Sequence, residues 1–181
     1  MGKLLENITL ELKEFIESQK IFFAGTAANE GRVNVSPKGT DSLRVLDENK
    51  IVWLNLTGSG NETAAHLIKN NRMTIMFCSF EGKPLILRLY GKATIYHKKD
   101  AEFHKYIGLF KENIGSRQII EMDVDLVQTS CGYAVPFLDF QEERTTLNSW
   151  SEKQGADKIE NYWKNKNTES IDGFETNILS K

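Results

Sequence analysis

Little in this chain is suited to binding a metal or to cross-linking itself. Its two cysteines, Cys78 and Cys131, stand far apart with no Cys-x-x-Cys spacing, so neither a zinc motif nor a disulfide framework is expected, and a reducing, cytoplasmic setting fits. The three histidines are His66, His97 and His104; the last two recur at close spacing, but no third ligand has metal-site spacing, and no metal is expected. No Ser, His and Asp constellation and no paired-carboxylate motif emerges, which leaves the catalytic residues unassigned. A basic excess is missing too. Lys and Arg total 23 against 25 Asp and Glu, for a net charge of -2, which argues against nucleic acid as a partner. Nor does any stretch approach the roughly 18 apolar residues of a membrane span. Glu6, Glu11 and Glu14 interrupt the amino-terminal apolar pattern, so neither a signal peptide nor a membrane anchor is expected.

What is present suffices for one continuous core. The expectation is a single domain over residues 1–181, with an amino-terminal helix and a helical carboxy-terminal tail. Leu5, Ile8, Leu12, Phe15 and Ile16 recur at helical spacing and predict an amphipathic helix from about Leu4 to Gln19. Six β-type runs follow at Ile21–Thr26, Arg32–Ser36, Leu43–Leu46, Ile51–Thr57, Met73–Phe80 and Leu85–Tyr96, divided by turn residues. Such spacing predicts a closed or partly closed antiparallel barrel. Within it, Glu62–Asn70 reads as a short helix. Asp100–Phe110 predicts another, with Asp100 as N-cap, and Arg117–Ser130 returns to strand. From Gln141 the tail reads as two helical pieces, one presenting Leu147 and Trp150, the other Ile159, Tyr162 and Trp163. Its polar end, Asn165–Asp172, reads as mobile. Cys131 reads as a buried, inert thiol beside Gly132, a residue that permits close backbone approach.

The chemistry concentrates in two segments. Arg32-Val-Asn-Val-Ser-Pro-Lys-Gly39 alternates as a strand that Pro37 should terminate, presenting Lys38 at its mouth. Gly58-Ser-Gly-Asn-Glu-Thr-Ala-Ala-His66 loosens the chain and then offers Ser59-x-x-Glu62, the spacing of a capping box at a helix start suited to phosphate. Lys38 is either a solvated loop lysine or a phosphate or ring contact. Arg88, inside Leu85–Tyr90, either faces water or pairs with an anion, because an unpaired buried charge is costly. His66, in mid-helix, reads as a packed or surface histidine.

Together with Trp53–Thr57, Asn70–Phe77 and Leu85–Lys92, these segments resemble the FMN-binding split-barrel family that contains pyridoxamine 5'-phosphate oxidase. The resemblance covers about residues 12 to 135 and implies a fold that is mainly β with flanking helices, a six-stranded antiparallel split β-barrel. It implies a homodimer with FMN as cofactor and a small-molecule redox substrate. For the cofactor contacts it implies Asn34, Val35, Ser36 and Lys38 on the first segment, Thr57, Asn61, Glu62 and Thr63 around the helix start, and Arg88 on the later strand, with Arg72 as a further cation. The sequence departs from the true oxidases in offering no basic residue at Glu62-Thr-Ala64, where Glu62 would instead turn back onto the Ser59 N–H. The expected activity is that of an FMN-dependent oxidoreductase. The rival readings are a protein that binds flavin, haem or deazaflavin without turnover, and a flavin-free interaction protein of the same fold.

Overall fold

A computed structural model describes residues 2–179. Eight strands form one antiparallel sheet, joined by four helices, among the described residues. The strands are β1 (Lys3–Leu5), β2 (Phe22–Thr26), β3 (Asn34–Lys38), β4 (Leu43–Asp47), β5 (Lys50–Leu56), β6 (Arg72–Cys78), β7 (Ile86–His97) and β8 (Ser116–Ser130). The helices are α1 (Leu10–Ser18), α2 (Glu62–Lys69), α3 (Ala101–Ile107) and α4 (Thr146–Lys166).

The mainly β character with flanking helices holds, but the count of six strands and the closed barrel do not. The order is β3-β2-β6-β7-β8-β5-β4, and the end strands β3 and β4 are not paired with each other. Between them Thr40 and Asp41 both adopt the left-handed region, at φ 60 and 51, and the chain passes from β3 at one end of the sheet to β4 at the other. The two strands beyond six are β8, the Arg117–Ser130 run already read as strand, and β1 at the amino-terminal end. Leu4 and Leu5, read from sequence as the start of a helix, lie extended in β1 with Lys3 opposite Thr129, and α1 begins only after Thr9, whose hydroxyl accepts from Leu12 N at 3.3 Å. Long β8 serves two partners in succession, β5 through its first half and β1 through its second.

Pro37 does not end its strand. Pro37 lies opposite Phe23 and Lys38 opposite Phe22, which a proline tolerates because β3 is an edge with only one hydrogen-bonded neighbour. Sheet alternation then builds two cores. Ile51 and Trp53 of β5 join the main cluster with Phe22, Phe77, Leu89 and Met122, which α1 closes through Leu12 and Ile16. Val52 and Leu54 face the other way, against Phe103, Tyr106 and Phe110 of α3 and its following turn. Strand β5 is therefore buried on both faces. Asp100 precedes α3 as expected, yet its carboxylate accepts from His97 N at 2.7 Å and does not cap the helix.

The tail does form two helical pieces, broken at Gly155, where φ 74 and ψ 167 lie in a region that side chains avoid. Its polar end, Asn165–Asp172, is packed in the structure, with Asn167 fully buried and Ser170 nearly so. Cys131 is exposed, and the close approach at Gly132 is to the backbone of Leu85. No helix among the described residues is long and apolar enough to cross a membrane.

Candidate functional site

Edge strand β3, the end of β5, the glycine loop 58–60, the start of α2 and the start of β8 surround a cavity of about 590 Å³. That volume suits a small-molecule site. Seven residues singled out from sequence line it: Asn34, Ser36 and Lys38 from β3, and Thr57, Asn61, Glu62 and Thr63 around the helix start. The structure does not bring the other two there. Val35, on the opposite face of β3, is 65% exposed. Arg88 lies near the start of β7, opposite Met76 and Gln128, and donates to Ser130 Oγ at 3.2 Å. Arg72 is exposed and engages Asn70 Oδ1 at 3.3 Å.

The helix start differs from a capping box. Asn61 is the N-cap residue, without a side-chain cap bond, and the Glu62 carboxylate accepts from Ile171 N at 3.0 and 3.2 Å. Its charge is thereby tied to the tail. The hydrogen-bonding side chains of the wall are linked to one another. Asn34 Nδ2 donates to Thr26 Oγ1 at 3.2 Å and to Thr63 Oγ1 at 3.3 Å, while Thr26 Oγ1 lies 3.2 Å from His66 Nδ1. His66 is thus a buried packing partner of this network.

Arg117 is the residue that sequence reasoning missed. It opens β8, lines the cavity and is only 3% exposed. Its Nη1 donates to Gly60 O at 2.9 Å and to Asn167 Oδ1 at 2.8 Å, both neutral acceptors, and its Nε has no protein partner. Among the described residues neither Arg117 nor Lys38 is ion-paired with a carboxylate. Burial lowers the pKa of Arg117, although a guanidinium so shifted still carries its proton at neutral pH. Lys38 Nζ lies 4.9 Å from the centroid of the Trp53 ring, a cation–π distance. Burial first, and then repulsion from Arg117, lower its pKa to about 8. Two mutually repelling cations thus converge on one cavity. Ser36 Oγ and Asn61 Oδ1 are also buried without a protein partner. A cavity so lined suits a small ligand with an anionic end and several polar edges.

Comparison with known proteins places these features in context. The sequence profile described as pyridoxamine 5'-phosphate oxidase matches residues 8–131. A relative from Aspergillus flavus, named pyridoxamine 5'-phosphate oxidase family protein ustO, is 38% identical over 146 residues, a match spanning 78% of this chain and 59% of that protein. Thus the chain corresponds to less than two thirds of that relative's length. Among solved structures, HupZ from Group A Streptococcus aligns with TM-score 0.53 at 22% identity, covering 66% of this chain and 91% of HupZ. A candidate pyridoxamine 5'-phosphate oxidase from Lactobacillus delbrueckii gives 0.55 at 17%, covering 68% and 94%. An FAD binding protein from Mycobacterium smegmatis gives 0.50 at 10%, covering 70% and 97%. At these identities the three structures speak to the fold alone.

Proposed function

Because this chain belongs to the pyridoxamine 5'-phosphate oxidase family, we propose that it is an FMN-dependent oxidoreductase, working as a homodimer on a small-molecule substrate. The observation that carries this reading is the buried cation Arg117, held only by neutral acceptors and facing Lys38 across the same cavity. An uncompensated buried charge costs several kcal/mol, roughly, unless an anion meets it. The phosphate of FMN is such an anion.

On this reading Arg117 and Lys38 hold the phosphate end, while Asn34, Ser36, Thr57, Asn61 and Thr63 offer polar contacts along the cavity. Bound flavin supplies hydride or single-electron transfer, so no protein nucleophile is needed. The chain's own task is to orient the cofactor and keep bulk water from its phosphate, and a buried guanidinium does both at once. Glu62 lines the cavity too, but with its carboxylate on Ile171 N it is a poor candidate for proton transfer. That favours one second reading, a protein that holds flavin without turning over; the Mycobacterium smegmatis protein is named for binding FAD.

The visible spectrum of the purified protein tests the proposal. Flavin absorption that is bleached anaerobically by a nicotinamide or small-molecule donor and restored by an acceptor supports the oxidoreductase. A bound flavin that no donor reduces supports the holding protein, and a colourless protein that takes up no FMN contradicts both.

A further inference from the structure

The carboxy-terminal segment lies beyond the residues matched by the family profile, 8–131, yet it completes the cavity. Leu147 and Ile171 are part of its wall. The final piece of α4 is fixed by Trp163, whose Nε1 donates to Thr57 Oγ1 at 2.9 Å, while Thr57 Oγ1 donates to Gly115 O at 2.9 Å. Asn167, at the C-cap of α4, closes the helix with its N–H on Trp163 O. That closure delivers the Asn167 side chain, fully buried, to the junction of the site's three elements. Its Oδ1 accepts from Arg117 Nη1 at 2.8 Å, its Nδ2 donates to Gly58 O at 3.1 Å, and its carbonyl accepts from Asn61 Nδ2 at 3.3 Å and Thr176 Oγ1 at 2.6 Å.

The chemistry of that junction is selective. A carboxylate in place of the amide would hold Arg117 as firmly, but it would neutralise the guanidinium. The amide oxygen fixes the direction of Nη1 and leaves the positive charge free for a ligand. Its other end meanwhile restrains the glycine loop that borders the same space.

We propose that Asn167 is a positioning residue for anion recognition, orienting Arg117 toward the phosphate of the cofactor without cancelling its charge. The inference rests on the flavin reading above. It makes the carboxy-terminal segment a working part of the site, and it assigns a role in anion binding to a residue beyond the stretch that the family profile matches, 8–131.

A double-mutant cycle tests it. FMN is titrated by fluorescence quenching into flavin-free parent, Asn167→Ala, Arg117→Met and the double variant, with thermal unfolding of each confirming the fold. Asn167→Ala is expected to weaken FMN binding about tenfold, the loss of one hydrogen bond that orients a charged contact. In the Arg117→Met background the same change is expected to cost less than about threefold, because the group it orients is gone. Should Asn167→Ala fail to fold, Asn167→Asp takes its place, with the same expected loss because the added carboxylate neutralises Arg117. Parent-like binding by Asn167→Ala or its substitute, or losses that simply add in the double variant, would overturn the assignment. A parent that does not bind FMN overturns the flavin reading itself and the assignment with it.

Discussion

Arg117 and Lys38 are where a single side chain carries the most consequence. Both are cations withdrawn from water, and each raises the cost of the other. Lys38 has its pKa lowered to about 8, whereas a phosphate monoester is already fully ionised above about pH 7. Rising pH therefore removes positive charge from the site and adds no negative charge to the ligand. We expect FMN affinity to hold near neutrality and to decline as pH rises through about 8, with Lys38→Met binding weakly at both ends and showing no break there. Titrations between about pH 7 and about pH 9.5 check this; a flat profile for the parent would contradict the assignment of Lys38. Between Arg88 and Arg117 the sequence offers no local distinction, since both are arginines in strand-like runs. Register decides. Gln118 pairs with Asn55, and Ser116 with Leu56, which sets Arg117 against the end of β5, while Arg88 is carried to mid-sheet between Met76 and Gln128. Pairing between residues so distant in the chain leaves no trace in either run alone.

At the scale of elements, β3, β5 and α2 were legible because their signals are short-range. Alternation marks the strands, and glycines followed by helix formers mark the turn into α2. The carboxy-terminal segment was not, because polar residues such as Asn167 and Ser170 are buried through hydrogen bonds rather than apolar periodicity. Beyond Asn167 this segment is tied down by Ile171 N on Glu62 of α2, by Asp172 on Arg32 just before β3, and by the Phe174 ring under Lys69. Asp172 Oδ2 accepts from Arg32 N at 2.7 Å, and that backbone bond is the chief cause lowering its pKa below the usual 3.8. A depressed carboxylate pKa contributes stability that is complete above the unfolded value and is lost as pH falls through the folded one. The segment should therefore loosen in acid before the sheet does. Hydrogen exchange is expected to accelerate at residues 168–176 as pH drops below 3.8, once the intrinsic pH dependence of exchange is removed. Asp172→Asn should abolish that added acid sensitivity; an unchanged acid profile in this variant would assign the loosening elsewhere.

Taken as a whole, the molecule leaves one long side of β3 without a strand neighbour, and Val33 just before β3 and Val35 within it are 73% and 65% exposed. Tyr133, Phe137 and Leu138 add apolar surface from the segment after β8. An apolar edge so placed favours association, and the proposed homodimer would cover it. Light scattering at micromolar concentration should then give twice the chain mass of 20.6 kDa, and a mass of one chain would count against the dimer. On the proposed reading, this cavity recognises a flavin by its phosphate through a buried, uncompensated guanidinium. Comparing FMN with riboflavin, which lacks the phosphate, tests it most directly, by titrating each into flavin-free parent and Arg117→Met. The account predicts saturable FMN binding by the parent with a preference over riboflavin of about tenfold to a hundredfold, reduced sharply in Arg117→Met without loss of thermal stability. Equal affinity of the parent for FMN and riboflavin, or a preference that survives Arg117→Met intact, would contradict it.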